Sequence, residues 1–296
     1  MLIIMKTNFI LFITTILILT SCGGEFNKSV KTDLLTGLTS KGNGLSSSKV
    51  YLSIGDKKIN RTTFVYGETF YVNFKDIRGL KKKGDNVFPG MEITVVSTNG
   101  DTAMYYDDMY ADKTEGVNIS PLFLYTNITV AKPMSSNQKY KLYIKIWDKI
   151  GEGTYNTTMD FDIVPNENIA IEKSDKINYD NVYLFSKQEG TIVQPKVKFN
   201  ETYYMIFEGL TGFVTKNDKA NVGLSMKATL TDGSVVFHEQ DLLGDEAFEI
   251  ALIKEQVTAN FIFNDNTIKT PVTCEFVVYD KNSDAKVKAS INLELD

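Results

Sequence analysis

The strongest constraint on the fold of this chain is that part of its sequence occurs twice. Residues 66–112 align with residues 199–245 without a gap, at an offset of 133 residues. A second block, Ile146-Trp-Asp-Lys149, recurs as Val278-Tyr-Asp-Lys281. Self-similarity at a fixed period marks a repeated structural unit. We therefore predict a tandem duplication of one domain.

Each copy has the residue pattern of short β-strands joined by tight turns. Thr69–Phe74 and Tyr203–Phe207 are rich in aromatic and β-branched residues, which favour strands. Asn99-Gly100 and the matching Asp232-Gly233 follow such segments, and both dipeptides favour hairpin turns because they tolerate positive φ. The sequence contains no long amphipathic pattern. These features predict an all-β chain built from two tandem β-sandwiches.

The N-terminus has the three parts of a signal peptide: a positive Lys6, the apolar run Phe9–Leu19 and the small Ser21. Leu19-Thr-Ser-Cys22 resembles the lipobox of bacterial lipoproteins, which implies lipid attachment (including palmitate) at Cys22. Gly23 replaces the Asp that retains such proteins in the inner membrane, so the resemblance implies an outer-membrane address. Only Glu25 supplies acidity after the Cys, which favours the periplasmic face over the surface. An ordinary signal peptide or an uncleaved anchor is the alternative.

The strand pattern after this segment resembles the tandem immunoglobulin-like domains of envelope lipoproteins, including those of Bacteroidota. The chain lacks the Cys–Trp–Cys spacing of antibody domains, so the resemblance concerns architecture alone. It implies five segments along the chain: a lipoprotein signal peptide (1–21), a flexible tether (22–48), a first immunoglobulin-like β-sandwich (49–165), a connector (166–178) and a second such sandwich (179–296).

The charge and the cysteine content exclude several classes of function. The net charge is −5, and Lys81–Lys83 is the only conspicuous basic block, so we expect no nucleic-acid partner. Cys274 is the only cysteine besides Cys22, and its alternation with apolar neighbours predicts a buried thiol. His238 is the only histidine, and no nucleophile, phosphate or dinucleotide motif is found. We therefore predict a protein that is not an enzyme and binds no cofactor.

Three tyrosines of the first copy are the candidate contacts with a partner or ligand. Tyr105, Tyr106 and Tyr110 align with His238, Glu239 and Leu243, so this is a place where the copies diverged. Exposed tyrosines can anchor a protein partner or stack on a sugar ring. The alternative interpretation puts Tyr105 in the core and leaves the other two as surface residues.

Two further features of the first copy allow more than one interpretation. Asp107, Asp108 and Asp112 form a weak candidate for a calcium site, since calcium prefers several oxygen ligands. Asp108 and Asp112 recur in the second copy, so a structural role or a solvated loop is the alternative. Trp147 aligns with Tyr279, and a large aromatic residue in both copies predicts a residue that fills the core.

Together these observations predict a lipid-anchored, non-catalytic envelope protein that mediates protein–protein interaction. Its expected role is that of an accessory subunit in an outer-membrane or secretion assembly. The first alternative is a glycan-binding lipoprotein that uses exposed aromatic residues of the first domain. The second is an enzyme whose two carboxylates are brought together only by the fold.

Overall fold

A computed structural model describes residues 28–296, and this part of the chain is almost entirely β-structure. The predicted all-β class with two tandem immunoglobulin-like β-sandwiches is confirmed. The strands of the first unit are β1 (Lys28–Thr32), β2 (Thr39–Asn43), β3 (Ser46–Ile54), β4 (Lys57–Ile59), β5 (Thr63–Val65), β6 (Thr69–Arg78), β7 (Lys82–Lys83), β8 (Asn86–Val87), β9 (Pro89–Ser97), β10 (Thr102–Tyr106), β11 (Phe123–Thr129), β12 (Gln138–Asp148) and β13 (Thr154–Val164).

The second unit contains the remaining strands and one short helix. They are β14 (Ala170–Lys173), β15 (Asn181–Ser186), β16 (Gly190–Thr191), β17 (Lys196–Val197), β18 (Thr202–Glu208), β19 (Lys219–Ala220), β20 (Val222–Leu230), β21 (Val235–Glu239), β22 (Phe248–Glu249), α1 (Ile250–Glu255), β23 (Val257–Ile262), β24 (Val272–Asp280) and β25 (Lys286–Leu295).

The strand order of the first unit is that of an immunoglobulin-like sandwich. One sheet runs β1-β2-β13-β12-β9-β10, with β5 parallel to the far end of β13, and the other runs β11-β6-β3-β4. The seven longer strands from β3 onward are β3, β6, β9, β10, β11, β12 and β13. The first, second and fifth of them (β3, β6 and β11) share one sheet, and the third, sixth and seventh (β9, β12 and β13) share the other. The fourth, β10, pairs with β9 at the edge of the larger sheet.

The second unit repeats this order with its own strands. Its sheets run β14-β25-β24-β20-β21 and β16-β15-β18-β23, with β17 parallel to β25 where the first unit has β5 parallel to β13. The sequence repeat is therefore a repeat of structure.

Each unit encloses its own hydrophobic core between its two sheets. Along β12, Tyr140, Leu142, Ile144 and Ile146 point inward while the residues between them face outward, as the period of two in a strand requires. The equivalent β24 alternates in the same way, with Cys274 among its buried residues. Each described unit is therefore held by its own core, and Cys274, the one cysteine of residues 28–296, is free.

The prediction that residues 22–48 form a flexible tether is wrong from Lys28 onward. β1 and β2 form an antiparallel hairpin, and β2 pairs with β13, which extends the larger sheet. Leu38 and Leu45 are buried in the first core. The Ser- and Gly-rich composition of β2 does not indicate a strand. In the fold, the buried Ser40 hydroxyl forms a hydrogen bond of 2.9 Å with the Thr157 hydroxyl, so this polar residue can lie inside the sheet without water.

The predicted connector 166–178 is likewise part of a sandwich. β14 lies within it and pairs with β25, and Ile169 and Ile177 are buried in the second core. The first unit ends at β13, so the strand that follows belongs to the second unit at once.

Cys22 and the predicted signal peptide lie outside the described residues. Within residues 28–296, no helix is long and apolar enough to cross a bilayer.

Candidate functional site

The predicted tyrosine site is divided between an exposed edge strand, which carries Tyr105 and Tyr106, and the half-buried Tyr110. Tyr105 and Tyr106 lie on β10 and are 57% and 52% exposed, so the interpretation of Tyr105 as a core residue is wrong. The Tyr110 ring packs against the first core, and its hydroxyl lies 3.3 Å from both the backbone N and O of Tyr125. Burial raises the pKa of Tyr110. The three rings therefore do not form one platform.

β10 is an open sheet edge. Among the described strands it pairs only with β9, and a register shift between Thr102 and Met104 twists the pair. β21 lies at the same place in the second unit, with a similar shift, and it carries His238 and Glu239 where β10 carries Tyr105 and Tyr106. An edge strand presents unpaired N–H and C=O groups to solvent. The two edges therefore have the same backbone and different side chains.

Asp108 is a structural residue rather than a free ligand. Its Oδ1 accepts hydrogen bonds from the backbone N–H of Met91 (3.1 Å) and Tyr110 (2.9 Å), and its Oδ2 lies 2.6 Å from Lys149 Nζ. Burial by itself raises the pKa of Asp108, but Lys149 and the two amides outweigh burial and hold that pKa below its ordinary value. The carboxylate joins β9, the following loop and the β12–β13 turn.

The same arrangement occurs in the second unit. Asp241 Oδ1 accepts from the amides of Leu224 (3.3 Å) and Leu243 (3.1 Å), and Asp241 also pairs with Lys281. The recurrence of this aspartate in the sequence therefore reflects folding.

The structure does not support the weak calcium candidate. Asp112 pairs with Lys113 at 2.7 Å, and the Asp107 side chain accepts the Asp108 amide. In residues 28–296, no three or more His, Cys, Asp or Glu side chains converge as metal ligands.

A group of aromatic residues that the sequence did not single out lies on the other sheet. The outward side chains of β3, β6 and β11 form what we call the open face. Their cross-strand register places Tyr51, Asn73 and Tyr125 in one row, and Tyr71 in the next. Phe123 and Tyr125 are 42% and 54% exposed, whereas Tyr51 and Tyr71 are half-buried.

The open face is a shallow groove with a polar floor. Its cavity of about 350 Å³ is lined by Tyr51, Tyr71, Phe123 and Tyr125 together with Ser53, Gly55, Asp56 and Asn73. Asn73 is only 7% exposed, and its amide nitrogen donates to Ser53 Oγ at 3.0 Å. Lys49 and Lys75 are direct cross-strand neighbours in the adjoining row.

In the second unit, part of the equivalent face is covered by the first unit. Tyr183, the equivalent of Tyr51, packs edge-on against Tyr66 with ring centroids 5.4 Å apart. Tyr66 donates to Glu208 Oε2 at 2.7 Å, and Tyr183 donates to Glu208 Oε1 at 3.1 Å. Lys132 Nζ lies 3.8 Å from the same carboxylate. This buried network joins the two sandwiches.

The remaining sequence candidates are placed as follows. Trp147 lies on the outer face of the larger sheet, so its interpretation as a core residue is wrong. Its ring covers Gly90 so closely that a Cβ on Gly90 would lie 2.2 Å from it. His238 is exposed on β21. Cys274 is buried, and burial raises the pKa of its thiol to about 12.

Comparison with known proteins yields structural neighbours only. No protein-family model and no curated protein matches the chain. The protein pT26-6p covers 91% of this chain and 66% of its own length, at 7% identity and a TM-score of 0.27. An immunoglobulin-like protein from Pseudomonas aeruginosa covers 42% of this chain and 97% of its own length (11% identity, TM-score 0.22). A DUF3823 family protein from Bacteroides ovatus covers 73% of this chain and 96% of its own length (10% identity, TM-score 0.24).

Scores this low carry no argument about function. The fold assignment rests on the strand order of the two sandwiches, and sandwiches of this kind serve many functions.

Proposed function

We propose that this chain is a lipid-anchored, non-catalytic envelope protein whose first sandwich binds a protein partner along β10. In this proposal Cys22 carries the lipid, on the periplasmic face of the outer membrane. The partner belongs to an outer-membrane or secretion assembly in which this chain is an accessory subunit.

The observation that carries the proposal is the pair of exposed tyrosines on an open strand edge. An extended segment of a partner can add to such an edge through main-chain hydrogen bonds. Tyr105 and Tyr106 alternate along β10 and so flank the added strand on both sides of the sheet. Tyrosine contributes a large contact area with little loss of side-chain entropy, and it is enriched at binding hot spots.

The buried reactive groups favour a binding protein over an enzyme. The Cys274 thiol is inaccessible and its pKa is raised, so it is a poor nucleophile. Asp108 and Asp241 are held by backbone amides and lysines in both copies. Neither carboxylate is free to exchange a proton with a substrate.

The experiment places a photo-crosslinking amino acid at position 106 of the full chain in its native bacterium. The matched control carries the same group at Glu239, the equivalent position on β21. We expect a stoichiometric protein adduct from position 106 and none from position 239. Equal adducts from both positions, or no adduct from either under conditions that capture a known envelope complex, would refute a partner at β10.

Lipid attachment is tested separately. Cys22→Ala is expected to remove label from a radioactive fatty acid and to release the protein from the membrane fraction. Retention of the label in Cys22→Ala would contradict the predicted anchor.

A further inference from the structure

We propose that the open face of the first sandwich binds an acidic oligosaccharide. A sugar ring stacks on Tyr125, and a carboxylate of the same ligand lies beside Lys49 and Lys75. This site is separate from β10, and it places a glycan at aromatic residues other than those that the sequence indicated.

Three of the aromatic side chains, Tyr71, Phe123 and Tyr125, are neighbours whose rings are tilted against one another. The ring centroids of Tyr71 and Tyr125 are 6.2 Å apart, and those of Phe123 and Tyr125 are 6.1 Å apart. The face of an aromatic ring is electron-rich, and the C–H bonds on one side of a sugar ring carry a partial positive charge. Stacking therefore removes apolar area from water on both partners and adds a weak electrostatic attraction.

The floor of the groove supplies polar contacts of the kind that sugar hydroxyls need. Asn73 lies between Tyr51 and Tyr125 in the register, and its amide nitrogen is committed to Ser53. Among the described residues, none donates a hydrogen bond to Asn73 Oδ1. A side-chain amide oxygen accepts from a hydroxyl, so this atom is a suitable acceptor at the base of the groove. Ligand sites combine a mainly apolar lining with a few such groups.

The two lysines determine the charge of the ligand. Lys49 and Lys75 lie directly opposite each other on neighbouring strands, an arrangement of like charges that is unfavourable. Within residues 28–296, neither forms a salt bridge, and the neighbouring Asp76 is paired with Arg78 at 2.5 Å. A carboxylate bound between the two ammonium groups would offset their repulsion. The lining of the groove itself holds one charged residue, Asp56, whereas both lysines lie in the adjoining row. The charge complement of that lysine-bearing row is an anion.

A peptide is a less suitable occupant of this face than a glycan. β6 is hydrogen-bonded to β3 on one side and to β11 on the other, so no free main-chain groups lie under the centre of the groove. Among the described strands β11 pairs only with β6, so a peptide strand that added to the outer edge of β11 would lie beside the groove and not in it. A peptide across the groove itself would lose water from its N–H and C=O groups without gaining main-chain partners. A glycan needs only side-chain contacts.

The covered face of the second unit shows how the same surface looks when a protein lies against part of it. There the equivalents of Asn73, Phe123 and Tyr125 are Ile206, Gln256 and Thr258, so the polar centre and two of the aromatic residues are lost.

The test measures binding to the detergent-solubilised full chain by isothermal titration calorimetry. The probes are a galacturonic acid trisaccharide and its carboxyl-reduced, neutral counterpart. We expect the unchanged protein to bind the acidic probe. The affinity should be at least tenfold lower in Tyr125→Ala and in the double variant Lys49→Ala/Lys75→Ala. The neutral probe should bind the unchanged protein as weakly as the acidic probe binds the lysine variant.

The control is Tyr143→Ala, because Tyr143 is 41% exposed and lies on the opposite sheet. Its surroundings resemble those of Tyr51: Lys141 Nζ lies 5.7 Å from the Tyr143 ring centroid, and Lys49 Nζ lies 5.6 Å from that of Tyr51. Tyr143→Ala should bind like the unchanged protein, and all variants should retain its circular dichroism. The proposal is overturned if a panel of uronic-acid and sialic-acid oligosaccharides gives no binding at millimolar concentration. It is also overturned if Tyr125→Ala binds normally, if neutral and acidic probes bind equally, or if an acidic peptide competes for the face.

Discussion

The contact between the two sandwiches allows a quantitative test through a single hydroxyl group. Tyr66 is 2% exposed, and its hydroxyl donates to Glu208 at 2.7 Å while it accepts from the Lys132 amide at 3.0 Å. Tyr66→Phe removes both hydrogen bonds and leaves the ring contact with Tyr183 in place. Glu208 itself is only 7% exposed, so the carboxylate cannot simply turn to water.

The expected loss follows from these partners. A hydrogen bond to a charged group contributes about 1.5–3 kcal/mol. The second hydrogen bond, from the Lys132 amide, joins two uncharged groups and is part-buried, so its loss adds less than the loss of the bond to Glu208. We therefore expect Tyr66→Phe to lower the free energy of unfolding of the first unit by about 2–3 kcal/mol. Tyr140→Phe is the matched control, because its buried hydroxyl accepts only from the Ser135 amide; it should cost about 1 kcal/mol.

The assay is urea unfolding followed by the fluorescence of Trp147, the only tryptophan, which reports on the first unit. A double-mutant cycle with Glu208→Gln isolates the coupling between Tyr66 and Glu208, which we expect to be about 1 kcal/mol or more. The reasoning is refuted if Tyr66→Phe costs no more than Tyr140→Phe, or if its effect is additive with that of Glu208→Gln.

Three further predictions concern the folding of each unit. Asp108→Asn and Asp241→Asn should each lower the free energy of unfolding at pH 7 by about 1–3 kcal/mol. Since the folded-state pKa of both carboxyls lies below its ordinary value, this loss should persist down to about pH 4 and fade as the pH falls further, through the folded-state pKa; a pH series of urea unfolding curves checks it. Leu38→Ala should cost about 2–5 kcal/mol in the same assay, because Leu38 is a core residue and not part of a tether, whereas the exposed Leu34→Ala should cost almost nothing. Cys274 should stay unreactive toward a thiol reagent until urea unfolds the second unit, and reaction at the rate of an exposed thiol in the native state would contradict its burial.

The sequence predicted the elements that depend on local pattern. The predicted strands at Thr69–Phe74 and Tyr203–Phe207 lie in β6 and β18, and Asn99-Gly100 lies in the turn between β9 and β10. Strands with little apolar content were missed, because β2 is defined by its pairing with β13, more than a hundred residues away. Trp147 was misplaced because its neighbour across the sheet, Gly90, leaves room for the ring on the outer face.

The open face could not be predicted from sequence for a related reason. Tyr51, Asn73 and Tyr125 are neighbours only through the register of three strands, and no local motif connects them. The signal that is present is weak: Tyr71 and Asn73, like Phe123 and Tyr125, are spaced by two and so share one face of a strand.

The duplication itself helps to separate residues that serve folding from residues that serve binding. Both copies must fold alike, so an interaction that recurs, such as Asp108 with Lys149 and Asp241 with Lys281, is explained by the fold alone. A position that differs between copies, and is exposed in only one of them, needs another explanation. Tyr125 meets this condition, since its equivalent Thr258 adjoins the contact with the first unit while Tyr125 faces solvent. Tyr106 on β10 also differs from its equivalent, Glu239 on β21, although both positions are exposed. The first unit therefore has two surfaces whose side chains the fold does not require, and the two proposals assign one kind of ligand to each.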